Sequence, residues 1–299
     1  AKRQNEDAYV IVTGCYAQLD PDAIAAIDGV NLVIGTNNRS KIVELVEQLE
    51  STERQINAVR DIMKESNFEE MPLFGNESDK ARAFMKIQEG CNNYCSFCII
   101  PYTRGKLKSR KIEDIVEEAK RLVDHGFHEI VLTGIHLGNY GVELPGRPTL
   151  ADVVKALLEI PELYRIRFGS IESVEVSDEL VELMATDKRV CPNLHLPLQA
   201  GSDHVLKLMR RHYTLQEYKD LIAKLRSRIK DLSITTDIIA GFPQETDEDF
   251  EETLNTVREI GFTHIHAFPY SIREGTPAAT MPDQVPEAVK KTRVALLNG

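Results

Sequence analysis

Three cysteines lie close together in one short segment of this 299-residue chain, at positions 91, 95 and 98. Thiolates at the spacing C-x3-C-x2-C can hold an iron-sulfur cluster and leave one iron without a protein ligand. Electron carriers of the ferredoxin type place a cysteine on every iron. Cys91, Cys95 and Cys98 therefore predict a 4Fe-4S cluster whose open iron binds another molecule, and they are the candidate catalytic residues.

Other uses of these cysteines differ in the number of ligands that they need. Structural zinc has four tetrahedral ligands, and no fourth Cys or His follows at the usual spacing. Five cysteines are an odd number for a disulfide framework, so we expect a reducing, cytoplasmic compartment. Cys191 is interpreted as a buried free thiol. A non-catalytic iron-sulfur or zinc module is the alternative to an enzyme.

Charge is unevenly distributed along the chain. The net charge is −11, from 36 Lys and Arg against 47 Asp and Glu, which argues weakly against a nucleic-acid partner. Basic residues nevertheless follow the cysteines directly, within 104–111, while acidic residues gather at 113–118 and 247–252. No apolar run approaches the roughly 20 residues that a membrane span needs, so no membrane partner is expected.

The first 50 residues have the pattern of a small α/β unit. Strands are predicted at 8–13 and 31–34, and helices at 20–27 and 40–49, the second of them amphipathic. We interpret 1–50 as the C-terminal part of a small domain. Residues 51–80 are polar with little periodicity and are predicted to be a linker.

Six strand-like runs separated by helical runs follow. The runs cover 84–88, 129–133, 165–170, 194–198, 234–239 and 264–268. Thr214 and Thr246 each precede an acidic residue three positions later, the pattern of a capping box. Alternating strands and helices predict a parallel sheet with right-handed crossovers. We therefore expect an α/β fold whose core domain, 81–299, is a partial (βα)6 barrel.

The working loops of such barrels follow the C-terminal ends of the strands. In chain order, the small, polar or aromatic residues in these loops are Gly134, His136, Ser170, Glu172, Gln199, Ser202, Gly241, Phe268 and Arg273. Together with Phe97, just before the last cysteine of the triad, they are the candidate cofactor-binding residues. The alternatives are a surface turn for His136, a salt bridge for Glu172, a helix N-cap for Ser202 and a core position for Phe268.

The cysteine pattern, with an aromatic residue before its last member, resembles the radical S-adenosylmethionine (SAM) superfamily. This resemblance implies a partial barrel in which the methionyl amine and carboxylate of SAM chelate the open iron. It also implies that an electron from the cluster cleaves SAM to a 5′-deoxyadenosyl radical. The loop after the second strand would lie near the methionine amine, and the loops after the fifth and sixth strands near the adenine.

Four further segments narrow the resemblance to the methylthiotransferases. They are Val-Thr-Gly-Cys-Tyr-Ala-Gln at 12–18, Ile-Pro-Tyr-Thr-Arg-Gly at 100–105, Leu-Pro-Leu-Gln-Ala-Gly-Ser at 196–202 and Tyr-Ser-Ile-Arg-Glu-Gly-Thr-Pro-Ala at 270–278. The match covers nearly the whole chain. Segment 132–138 most resembles the bacterial branch that acts on threonylcarbamoyladenosine in tRNA. The isopentenyladenosine-tRNA and ribosomal-protein branches are the alternatives.

The family resemblance implies further parts and partners. A second 4Fe-4S cluster would be held by three cysteines, of which Cys15 is present and two would lie upstream of residue 1; an RNA-binding TRAM domain would lie beyond residue 299. Two SAM molecules would be used to add a methylthio group at C2 of adenine. One would donate its methyl group to a sulfur, and the other would be the source of the radical. The implied partners are the tRNA anticodon loop and an electron donor such as flavodoxin. Residues 104–111, Arg210, Arg211 and His212 could meet phosphates, or could be a solvated charged surface.

Overall fold

A computed structural model describes residues 3–52, 54–71 and 82–298. Its N-terminal part is a small sheet with short helices. The elements are β1 (Ile11–Thr13), α1 (Cys15–Leu19), α2 (Pro21–Ala25), β2 (Leu32–Ile34), α3 (Ile42–Thr52) and β3 (Ile56–Asn57). The sheet is parallel in the order β1-β2-β3, and every residue of β2 is buried. β1, β2, α2 and α3 lie where the sequence predicts them, whereas α1 is an additional short helix.

The range predicted as a linker carries more structure than expected. β3 lies within it and pairs with β2, so that Ile56 is opposite Leu32. Ile62 is buried in a 3-10 turn. Its carbonyl oxygen would lie only 2.6 Å from a Cβ placed on Gly105, so the turn packs closely against that glycine. A two-residue strand has no periodicity that a sequence pattern could detect. Residues 72–80 of the predicted linker lie outside the described residues, and the domain boundaries remain a prediction.

The larger unit alternates strands and helices from residue 82 onward. Its strands are β4 (Arg82–Lys86), β5 (Gln88–Glu89), β6 (Lys108–Ser109), β7 (Glu129–Thr133), β8 (Arg165–Phe168), β9 (Asn193–His195), β10 (Ser233–Ala240) and β11 (His264–Pro269). Its helices are α4 (Ile100–Arg104), α5 (Ile112–Asp124), α6 (Leu150–Leu158), α7 (Asp178–Thr186), α8 (Asp203–Leu208), α9 (Leu215–Arg228), α10 (Asp247–Ile260) and α11 (Glu287–Asn298).

Six of these strands form the predicted partial barrel. β4, β7 and β8 pair in parallel, as do β9, β10 and β11. Two isolated parallel bridges, Ile166 to Val190 and Ser170 to His195, join the two groups between β8 and β9. Each strand therefore neighbours the next one of the six in chain order, as right-handed crossovers require. All six correspond to predicted strands, and β5 and β6 form an additional antiparallel hairpin.

The helices cover one face of the curved sheet. Thr214 and Thr246 form the predicted capping boxes, with the N3 carboxylates of Glu217 and Asp249. Along β10, every second side chain from Ile234 to Ala240 is at most 1% exposed, whereas the alternate positions are partly exposed. The buried set packs against the outer helices, so the alternate set faces the concave side. Within the described ranges no helix is long and apolar enough to span a bilayer.

Candidate active site

The cysteine loop follows β5 and is fixed at its base by backbone contacts. Glu89 and Lys108 are paired in the β5-β6 hairpin, and the Cys91 amide donates to the Gly105 carbonyl at 3.1 Å. Gly90 has φ +79°, and a Cβ there would lie 1.9 Å from the Lys106 carbonyl oxygen, so only glycine fits this close approach. The loop therefore starts from a defined position.

The far side of the loop is held by the segment after α8. The Ser96 amide donates to the Met209 carbonyl at 3.0 Å, and the Ser96 hydroxyl donates to the Leu208 carbonyl at 2.7 Å. All three thiols are free, and Cys95 is buried. Burial raises the pKa of Cys95 and raises that of Cys98 to about 11. Burial thus disfavours the thiolate forms of Cys95 and Cys98, and a bound metal centre would supply the positive charge that holds them as thiolates.

The arrangement of the three thiols fits a cluster better than a single ion. In the described part of the chain, one trio of potential metal-ligand atoms lies within 4.8 Å of one another, formed by His195, Asp237 and His266, and the cysteines do not form another. The sulfur ligands of a tetrahedral zinc ion lie within 4.8 Å of one another, and these three do not. Three separated, inward-held thiols suit a larger inorganic core such as a 4Fe-4S cluster.

His136 orients the first cysteine of the triad. Its Nδ1 lies 3.6 Å from Cys91 Sγ, its Nε2 is hydrogen-bonded to the Glu175 carboxylate, and its amide donates to Gln88 Oε1 at 2.7 Å. Burial would lower the pKa of His136, but the bonds to Cys91 and Glu175 outweigh it and raise that pKa to about 10. His136 is 3% exposed, so the surface-turn alternative is wrong. Sequence patterns did not identify Glu175.

Arg211 places a second positive charge against the triad. Its Nη1 donates to Cys95 Sγ at 3.3 Å, its Nη2 pairs with the Glu172 carboxylate, and its Nε donates to the Tyr213 hydroxyl at 3.2 Å. The Arg211 side chain is 4% exposed. The interpretation of Arg211 as a phosphate contact is therefore wrong, and Glu172 lies in the salt bridge that was the alternative to a cofactor contact.

Two of the basic residues that follow the cysteines are internal. Lys108 and Arg110 are buried, Lys108 Nζ donates to the Arg104 carbonyl at 3.1 Å, and Arg110 Nη1 pairs with Glu118 at 2.5 Å. Their burial follows from the pairing of β6 with β5. The prediction that Lys108 and Arg110 contact phosphates is therefore wrong, whereas Lys106 and Lys111 are exposed.

The remaining candidate residues differ in how accessible they are. Ser202 is 1% exposed, caps α8 and donates to Asp249 Oδ1 at 2.5 Å, so it has the N-cap role. Phe268 is 51% exposed and is not a core residue. Ser170 bridges to His195, Gln199 has φ +68°, and Arg273 is exposed.

Two glycines and an aromatic residue complete the rim. A Cβ on Gly134 would lie 2.9 Å from Gln88 Cβ, and one on Gly241, which has φ +74°, would lie 2.3 Å from Lys290 Cγ. Phe97 contacts the edge of Phe242, with ring centroids 6.3 Å apart. These close approaches explain why glycine stands at both strand ends.

Cys15 lies on the N-terminal unit next to the cysteine loop. It is the first residue of α1, which packs against α4, and α4 begins two residues after Cys98. Arg104 Nε donates to Cys15 Sγ at 3.2 Å, while Arg104 Nη1 lies 3.5 Å from Glu89 Oε2. Thus one side chain connects Cys15 to the base of the loop that carries the triad.

Comparisons with known proteins agree with this geometry. The sequence profile of the Radical SAM superfamily matches residues 85–257. A threonylcarbamoyladenosine tRNA methylthiotransferase of Bacillus subtilis is 46% identical over 98% of this chain and 65% of its own length. That of Rickettsia prowazekii is 41% identical over 99% and 69%, respectively. A tRNA-2-methylthio-N6-dimethylallyladenosine synthase of Carboxydothermus hydrogenoformans is 39% identical over 98% and 67%.

Solved structures share the fold at low sequence identity. The radical SAM methyltransferase TsrM of Kitasatospora setae has a TM-score of 0.55 and 16% identity, over 66% of this chain and 38% of its own. Coproporphyrinogen III oxidase of Escherichia coli has a TM-score of 0.51 and 17% identity, over 73% and 51%. The chain spans about two thirds of the length of the curated relatives that it matches.

Proposed function

Because this chain belongs to the radical SAM superfamily and, within it, to the methylthiotransferase family, we propose that it adds a methylthio group to C2 of N6-threonylcarbamoyladenosine beside the anticodon of tRNA. The observation that carries the proposal is the cysteine triad on the loop after the first barrel strand, with His136 and Arg211 against two of its thiols. The most similar curated relatives named above support the substrate.

In this proposal Cys91, Cys95 and Cys98 hold a 4Fe-4S cluster and are the catalytic residues. With SAM bound, that cluster supplies one-electron chemistry that activates a carbon-hydrogen bond. His136 fixes the orientation of Cys91, and Arg211 offsets the charge of Cys95 as a thiolate. SAM would lie against the loops that carry Gly134 and Gly241, with the exposed Phe268 ring as a contact for its adenine. Cys15 would ligate an auxiliary cluster with cysteines from outside this chain.

Exposed aromatic side chains around the cysteine loop suit a nucleobase. Tyr94 is 39% exposed and Tyr102 is 46% exposed, and their rings meet edge to face with centroids 5.9 Å apart. Reaching C2 of an adenine requires the base to leave its stack, which costs little in a single-stranded loop. Single-stranded RNA is commonly bound by stacking on such rings. A cytoplasmic location and an electron donor such as flavodoxin are further parts of the proposal.

The test is nucleoside mass spectrometry of tRNA from a strain that lacks the full-length gene. We expect 2-methylthio-threonylcarbamoyladenosine to disappear while its unthiolated precursor accumulates. Complementation with the wild-type gene or with a Cys191→Ala variant should restore the product, because Cys191 is a buried thiol away from the triad. A Cys95→Ala variant should not restore it. Persistence of the product in the deletion strain would refute the tRNA substrate and direct the search to ribosomal proteins.

A further inference from the structure

The concave face of the barrel carries a polar layer in the middle part of β10 and β11. It is formed by His195 of β9, Thr235 and Asp237 of β10, and His266 of β11, and we call it the inner polar layer. The register places Thr235 opposite His195 and Asp237 opposite His266 on paired strands. These side chains alternate with the buried set that packs against the outer helices. They therefore point away from the core and toward the concave side.

The layer is held in a defined geometry. His195 Nε2 lies 3.1 Å from Asp237 Oδ2, and His195 Nδ1 lies 2.8 Å from the Thr235 hydroxyl. One potential ligand atom from each of His195, Asp237 and His266 lies within 4.8 Å of the others. The side chains of His195 and Asp237 are 18% and 29% exposed, and His266 is exposed. The layer is thus ordered by its own hydrogen bonds and still open to a ligand.

The layer is unusual for the interior of a barrel. Small barrels usually fill their interior with branched apolar side chains. This one instead presents two imidazoles, a hydroxyl and a carboxylate from three paired strands. The bridge between Ser170 and His195 brings the end of β8 beside the layer. The layer therefore offers several hydrogen-bonding groups to a polar ligand.

The chemistry of the layer distinguishes two kinds of substituent on an adenine. A threonylcarbamoyl group offers a carboxylate, a hydroxyl and N-H donors, whereas a dimethylallyl group is apolar. An apolar substituent would leave the His266 imidazole and the second oxygen of Asp237 without partners after water is displaced. Sites built around hydrogen bonds reject ligands that lack the matching groups much more strongly than apolar pockets reject polar ligands.

We propose that Asp237 and His266, with His195 holding Asp237 in place, contact the hydroxylated amino-acid substituent on the target adenine and select it over an unsubstituted or apolar one. The exposed His266 imidazole donates to the carboxylate of the substituent, and Asp237 accepts from its hydroxyl or N-H groups. This inference rests on the proposed function, because it assigns specificity within the same site. Asp237 and His266 are thus specificity-determining residues, and the cysteine triad carries the chemistry.

The experiment uses the full-length enzyme with its clusters reconstituted. Affinity is measured for two anticodon stem-loops, one with threonylcarbamoyladenosine and one with unmodified adenosine, for wild type, Asp237→Asn and His266→Leu. We expect each substitution to reduce the preference for the modified stem-loop about tenfold or more. His128→Leu is the matched control, since His128 stacks on Tyr164 at the opposite end of the barrel and should leave the preference intact.

Two results would overturn the inference. One is equal weakening of both stem-loops, or an unchanged preference, in Asp237→Asn and His266→Leu. The other is a stoichiometric metal other than iron that is present in wild type and lost in His266→Leu, which would make the trio a metal site. Failure of the proposed function would be seen separately. In that case the wild-type enzyme would form no methylthio product on the modified stem-loop, whatever the binding preference of the variants.

Discussion

Replacing Arg211 by methionine would test whether the buried guanidinium supports the cysteine triad. The substitution keeps an unbranched side chain but removes the donor to Cys95 Sγ, the donor to Tyr213 and the partner of the Glu172 carboxylate. Arg210 is adjacent and exposed, so Arg210→Met is the matched control. A double variant, Arg211→Met with Glu172→Gln, removes the whole ion pair instead of one half.

The expected size of the effect follows from burial. Breaking a fully buried ion pair by removing one partner costs about 3–5 kcal/mol, since the remaining charge has lost its partner. The Arg211 side chain is 4% exposed but that of Glu172 is 18% exposed, so water can partly solvate the carboxylate. We therefore expect Arg211→Met to lower the free energy of unfolding by about 3 kcal/mol. The double variant should recover about half of that loss, because no unpaired charge remains.

The assay is urea denaturation of the protein without metal, followed by iron content after anaerobic reconstitution. Arg211→Met should bind less iron than Arg210→Met, and any cluster formed should have a lower reduction potential, because a donor to a ligating sulfur is lost. The reasoning fails if Arg211→Met and Arg210→Met have the same stability. It also fails if Glu172→Gln gives no recovery in the double variant.

Three further outcomes follow from the described contacts. Gly90→Ala should reduce iron loading and destabilise the fold by more than about 2 kcal/mol, because the new Cβ clashes with the Lys106 carbonyl and the backbone keeps a strained positive φ. The control is Gly126→Ala, at φ +89° with nothing within 4 Å, which should cost only about 1 kcal/mol. Urea titration measures both free energies of unfolding. Burial would raise the pKa of Asp249, but hydrogen bonds from Ser202, Thr246 and His204 outweigh it and lower that pKa to about 2. Asp249→Asn should therefore lower the free energy of unfolding by about 1–2 kcal/mol above pH 4, and this difference should disappear as the pH falls toward 2. Equal losses at pH 6 and at pH 2.5 would contradict this. Cys98→Ser should abolish cluster absorbance while Cys191→Ser retains it, and a loss of absorbance in both variants would mean that Cys191 takes part in the site.

Local patterns were sufficient for the barrel but not for the partners of the cysteines. The six parallel strands and the capping boxes of Thr214 and Thr246 repeat within short windows, so periodicity predicts them. Cys95 and Arg211 are 116 positions apart, and their contact depends on how the segment after α8 packs on the cysteine loop. No local pattern contains that information, and Arg211 was therefore interpreted from its charged neighbours alone.

Two residues of the basic run were interpreted wrongly for a related reason. Its charges are visible in the sequence, but the hairpin that buries Lys108 and Arg110 is only two residues long on each strand. Hydrophobic alternation cannot reveal so short a pairing. The inner polar layer was missed because its residues come from three strands and become neighbours only through the parallel register.

The β5-β6 hairpin has a consequence for the order in which the protein matures. Pairing of Glu89 with Lys108 closes residues 90–107 into a loop through backbone hydrogen bonds. Closing a flexible loop of this length costs about 2–3 kcal/mol of chain entropy, and contacts within the polypeptide offset that cost without a metal ligand. We therefore expect the cluster to assemble on a loop that the barrel has already closed, unlike the metal-driven folding of a zinc finger.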